Sequence, residues 1–170
     1  MTQLTIGAVL RKVKSLKGRM AALQARAAEC VSHIKEKPPV FVFTDVEKEL
    51  SETREELIRF GEILDRANVE TEIDFRGKAM TLTAAIRRLQ EIKGQIKWFA
   101  SLSIREGEET THENDYDEPT GRPIRRKIVT TYVSAVGIAE RVKRIEALQK
   151  DFDELNDAVE TTNMTTKVAA

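Results

Sequence analysis

Near the end of the chain seven apolar residues, Ile138, Val142, Ile145, Leu148, Phe152, Leu155 and Val159, recur at spacings of three and four, with charged residues filling most positions between them. That period belongs to an amphipathic α-helix, and it predicts one over 134–163. At ~1.5 Å per residue such a helix runs roughly 40 Å. A stripe that long needs neighbours of comparable length to cover it, because an isolated helix gains little of its stability from propensity alone.

The preceding sequence offers such neighbours. Ile6, Val9, Val13, Leu16, Met20, Leu23, Ala27, Cys30 and Ile34 alternate strictly by three and four, predicting a heptad-patterned helix over 5–36 that Pro38 and Pro39 terminate. The apolar run 40–43 reads as an extended segment. Thr44 with Glu47 forms a capping box for a second helix over 44–68, whose seam is Val46, Leu50, Thr53, Leu57, Phe60, Leu64 and Ala67. Over 71–81 the helical period vanishes; Ile73 and Phe75 alternate with polar residues and Arg76-Gly77 offers a turn, which predicts a small hairpin or a tight extended loop. Thr81 caps a third helix over 82–104, with Leu82, Ala85, Leu89, Ile92, Ile96 and Phe99 as its seam. Segment 105–123 holds seven acids and almost nothing apolar, and reads as a mobile acidic loop. A β-branched run over 125–133 follows, suited to pairing with one of the earlier extended segments. Ser134 then caps the last helix. The expected fold is therefore all-α, a single-domain antiparallel four-helix bundle of coiled-coil character, with short β-like connecting segments.

Charge supports that order of helices. The segment through Lys37 has eight bases and two acids, and 82–104 has four bases and one acid, whereas 44–68 has eight acids to four bases and 135–160 seven to four. Basic and acidic helices alternate, so antiparallel neighbours are of opposite sign and wrong pairings are disfavoured. Over the whole chain Lys plus Arg equals Asp plus Glu at 28 each, which leaves no global field to draw in nucleic acid. The single cysteine, Cys30, forbids an internal disulfide. No apolar run approaches a membrane span, and the first ten residues do not read as a signal peptide, so a cytoplasmic protein is expected.

Catalytic signatures are missing: there is no phosphate loop, GxGxxG, GxSxG or paired-cysteine motif, and neither His33 nor His112 has a ligand partner three or four residues on. No enzyme, metal or cofactor is expected. Glu113, Asp115 and Asp117 are spaced like calcium ligands, but the sixth and twelfth positions of such a loop are Glu118 and Ile124 instead of Gly and Glu. The basic cluster Arg122, Arg125, Arg126 and Lys127 offers donors for a phosphate. The threonine-rich end Thr161-Thr162-Asn163-Met164-Thr165-Thr166 offers hydroxyls and an amide.

Thr81-Leu82-Thr83-Ala84-Ala85-Ile86-Arg87-Arg88, the entry Arg125-Arg126-Lys127-Ile128-Val129 and the end Leu155-Asn156-Asp157 to Thr166 together resemble the septicolysin-like family of small bacterial and phage helical proteins, over roughly 77–167. The resemblance implies a helical bundle that assembles into oligomers, and brings no catalytic residues. Three functions are then in view: a non-catalytic homo-oligomer acting by assembly or interaction; an oligomer that binds or sequesters a small anionic ligand such as a nucleotide signal, through Arg87, Arg88, Arg125, Arg126, Lys127, Thr162, Asn163 and Thr165; and a membrane-active toxin.

Overall fold

The computed structural model describes residues 3–169. The element order is β1 (Gln3–Thr5), α1 (Ile6–Cys30), α2 (Phe43–Glu70), β2 (Glu72–Phe75), β3 (Lys78–Thr81), α3 (Leu82–Ser101), β4 (Gly107–Tyr116), β5 (Pro123–Tyr132), α4 (Ile138–Thr165) and β6 (Lys167–Ala169). The strands form three two-stranded antiparallel sheets, β1 with β6, β2 with β3 and β4 with β5. Among the described residues no helix is long and apolar enough to cross a membrane.

This architecture overturns the all-α, coiled-coil-like four-helix bundle. The fold is mixed α/β, and the largest departure is the segment read as a mobile acidic loop over 105–123, most of which is strand β4 paired along its full length with β5. Acids one to four residues apart look like a solvated loop when only local composition is read. Their partners lie on the other strand: Glu113 stands opposite Arg126, and the Arg126 guanidinium reaches Asp115 Oδ2 at 3.5 Å. Opposite charges across a ladder favour pairing.

The chain divides into two compact units, one made of the described residues through Leu89 with those from Asp153 onward, the other of Gln90–Phe152. In the first unit α1 and α2 lie antiparallel. Leu23 and Cys30 pack with Val46 and Leu50 toward one end, and Val9 and Leu16 pack with Phe60 toward the other. Each such side chain taken from water contributes about 1.5 to 3 kcal/mol. Lys12 to Glu56 at 2.8 Å and Arg19 to Glu49 at 3.6 Å flank this seam with opposite charges. Thr53, buried in the same seam, donates its hydroxyl to Glu49 O at 2.7 Å, so its polarity is satisfied inside the helix.

Helix ends differ from the sequence reading in ways that local chemistry explains. α1 stops at Cys30, short of residue 36, where Val31, Ser32 and His33 are poor helix formers; Ile34 is consequently 64% exposed. α2 begins at Phe43 with no side-chain cap bond, so Thr44 is already inside the helix. Thr81 does cap α3, its Oγ1 accepting from Ala84 N at 3.2 Å. The hairpin expected over 71–81 forms as β2–β3, and its turn residues Arg76 and Gly77 take φ of 55° and 77°, the left-handed pair that a tight hairpin turn requires. Asp74 Oδ1 accepts from Gly77 N to hold it. α4 begins at Ile138, four residues beyond Ser134, whose hydroxyl donates to Val136 O instead of capping the helix.

The α4 seam also divides. Leu155 and Val159, in the first unit, are buried, whereas Ile138 and Val142, in the second, remain 46% and 44% exposed. Leu155→Ala should therefore lower stability by about 2 to 5 kcal/mol. The same change at half-buried Leu148 should cost clearly less in the monomer, as measured by denaturant unfolding at a concentration where the protein is monomeric.

Candidate functional site

Alternation along a strand assigns the residues of the β4–β5 hairpin to two faces. On one lie Glu109, Thr111, Glu113 and Asp115 of β4, with Ile124, Arg126, Ile128, Thr130 and Tyr132 of β5. This face is internally paired through Arg126 and Asp115, and at its base Arg105 stacks 5.2 Å from the Tyr132 ring and donates to the Tyr132 hydroxyl at 3.1 Å. On the other face Asn114 stands opposite Arg125 and His112 opposite Lys127, with Thr110 opposite Val129 and Glu108 opposite Thr131. His112, Asn114, Arg125 and Lys127 form a two-by-two block of exposed hydrogen-bonding groups, and three of the four carry or can accept a positive charge. Most acids of β4 point to the opposite face, so the block is locally basic although the segment is acidic. Exposed cations spaced across a ladder in this way suit a phosphate or carboxylate.

The base of the hairpin is tied to both helices of the second unit. Arg141 Nη1 donates to Leu102 O at 2.8 Å, and Glu106 Oε2 accepts from Ile138 N at 3.4 Å, placing a carboxylate at the positive end of α4. Gly137 permits this approach, since a Cβ there would sit 2.9 Å from Glu106 Oε1. Between α3 and α4 an open groove of about 500 Å³ is lined by Lys93, Ile96, Lys97, Gln149 and Phe152.

The ligand set expected from the sequence is distributed between the units. Arg87 and Arg88 are exposed on α3 in the first unit, while Arg125, Arg126 and Lys127 occupy consecutive positions of β5 in the second. Those three alternate in direction, and Arg126 faces away from the other two. Thr162 donates its hydroxyl to Ala158 O at 2.8 Å and Thr165 to Thr161 O at 2.9 Å, so both donors are used by α4 itself. The Asn163 backbone carbonyl oxygen comes within 3.2 Å of the position a Cβ on Gly7 would take, a close approach of the end of α4 to the start of α1. Asp117 accepts from the Thr120 hydroxyl in the β4–β5 turn. No group of three or more His, Cys, Asp or Glu among the described residues is placed to hold a metal ion. His112 and Asn114 were missed as site residues; a period-two reading of 107–116 against 123–132 is the signal that finds them.

A family model of unknown function, DUF6847, matches residues 14–168. The chain belongs to that family. Its fold is also similar to the crystal structure of a functionally unknown conserved protein from Corynebacterium diphtheriae, with a TM-score of 0.75 and 15% identity, over 99% of this chain and 100% of that one. No curated protein matches the chain in sequence. These findings overturn the septicolysin-like resemblance: short stretches of Thr, Ala and Arg recur easily on helices, and the family match that spans both units is a different one.

From the second turn of α4 the Arg144 guanidinium donates back to Glu140 Oε1 in the first at 2.8 Å. That hydrogen bond, with the charge of Arg144 behind it, holds the Glu140 carboxyl below its ordinary range. Because the folded-state value is the lower one, the pair contributes above the unfolded carboxylate range and its contribution is lost as pH falls through the folded value. Arg144→Ala should raise the Glu140 midpoint in a carboxyl ¹³C NMR titration; an unmoved midpoint would show that the pair does not form in solution.

Proposed function

We propose that this chain is a non-catalytic protein that works by self-association, with other copies completing its second unit. One observation carries the reading: among the described residues Ile92 is the only buried one in Gln90–Phe152. Yet the unit contains Ile96, Phe99, Leu102, Ile138, Val142, Ile145, Leu148 and Phe152 at core spacing on two helices, and Trp98 beside them is 56% exposed. Of these, Trp98, Ile138 and Val142 are exposed and the rest half-buried, and a helix pair whose apolar stripes stay partly open marks an interaction surface. Closed symmetric association of identical copies is the usual way to cover it.

Light scattering coupled to size exclusion at micromolar concentration should return a multiple of the 19.2 kDa chain mass. Trp98→Glu and Val142→Glu, at exposed positions where a charge costs little in one chain, should yield folded monomers. A wild-type mass of 19.2 kDa overturns the proposal.

A second reading, binding of a small anion, is favoured by the block of His112, Asn114, Arg125 and Lys127. Titration with inorganic phosphate should shift the His112 ring resonances. Arg125→Ala or Lys127→Ala should weaken that binding roughly three- to tenfold, as expected for exposed charge-assisted contacts. Arg126→Ala, on the opposite face, should leave it unchanged; an equal loss from all three variants would reduce the effect to general charge.

A further inference from the structure

The β4–β5 hairpin has ten residues in each strand, yet it is a two-stranded sheet whose outer edges are both free among the described residues. A two-stranded ribbon by itself is marginal in water, and each free edge presents a row of N–H and C=O groups that templates another strand. The two edges differ in what they invite. β4 carries Glu108, Glu109, Glu113 and Asp115, so a second β4 laid along it would meet its own charge. β5 is divided into halves: Arg125, Arg126 and Lys127 come first, and Ile128, Val129, Thr130, Thr131 and Tyr132 follow without a charge among them. That second half is β-branched and aromatic, the composition that suits a paired strand, and it lacks the charges, bulges or prolines that guard a free edge.

We propose that β5 pairs antiparallel with β5 of a second copy about a two-fold axis near Val129, giving a four-stranded sheet in the order β4-β5-β5-β4. This rests on the self-association proposed above and adds a strand-edge contact to the helix faces of Trp98 and Val142 that the same two-fold partner covers. Antiparallel pairing lays the basic half of one strand against the neutral half of the other. A register centred on Val129 sets Arg126 opposite Tyr132 of the second copy, Lys127 opposite its Thr131 and Ile128 opposite its Thr130. No like charges stand directly opposite one another, and the β-branched residues meet at the centre. The acidic strands become the outer edges, where their charge opposes further addition. Pairing of β4 with a neighbour's β5 would instead leave a free edge at each step and propagate.

Cysteine cross-linking of the full chain tests the arrangement. Directly opposed residues in an antiparallel pair bring their Cβ atoms to about 4.5 to 5.5 Å, within reach of a disulfide after small adjustment. Cys30 is buried, so the wild type is the control for its own contribution. Under mild oxidation Val129→Cys, the one position that the register sets opposite its own copy, should convert to covalent dimer, while Thr110→Cys on β4 and the wild type should not. Light scattering separates the two ways of failing. An oligomer with no cross-link from β5, with equal cross-linking from Thr110→Cys, or growing into open-ended polymers overturns the β5 pairing and leaves self-association standing. A wild-type monomer overturns both.

Discussion

The apolar contact between α1 and α2 is what the first unit depends on. It buries Val9, Leu16, Leu23 and Cys30 against Val46, Leu50 and Phe60, and its polarity is confined to Thr53, which bonds its own helix. Everything else in that unit is attached to its ends. β1 leads into α1 and pairs with β6, Leu4 opposite Val168, so both residues join the Val9, Leu16 and Phe60 cluster. That pairing holds the last turn of α4 beside the first turn of α1, where Gly7 meets the Asn163 carbonyl. Leaving α2, the chain turns back through β2 and β3 to start α3, and Arg76 at the turn reaches Glu154 of α4 with its Nε at 2.9 Å.

The second unit is built from the same helical period without the same outcome. α3 and α4 carry seam residues as regular as those of α1, yet between Gln90 and Phe152 they close over little more than Ile92. Periodicity states which side of a helix wants cover. It does not state whether the same chain supplies it, and here Arg141 to Leu102 and Glu106 to Ile138 tie the start of α4 to the chain that leaves α3. The hairpin follows the same logic at the level of the backbone, with one edge of each strand satisfied and the other available.

The basic residues of the candidate site could be found from composition, since Arg125, Arg126 and Lys127 stand out after an acidic run. Their grouping could not, because adjacency in sequence becomes opposition on a strand: Arg126 turns to Asp115, and Arg125 and Lys127 turn to Asn114 and His112. The threonines near the end of α4 looked like free donors for a related reason. Their hydroxyls are spent on carbonyls one turn back, a local bond that a residue-type count does not register.

Local physics written in the sequence by itself determined the four helices, their apolar faces, the cap at Thr81 and the tight turn at Arg76-Gly77, because each depends on residues within a turn or two of one another. Only the tertiary structure decided that β4 is a strand, that β1 meets β6, and that the α4 seam is buried at Leu155 but open at Val142. Those outcomes depend on which distant segment presents a complementary edge or face. Strand pairing is specified jointly by two stretches, and neither Glu113 nor Arg126 declares its partner until the chain has folded back to bring them opposite.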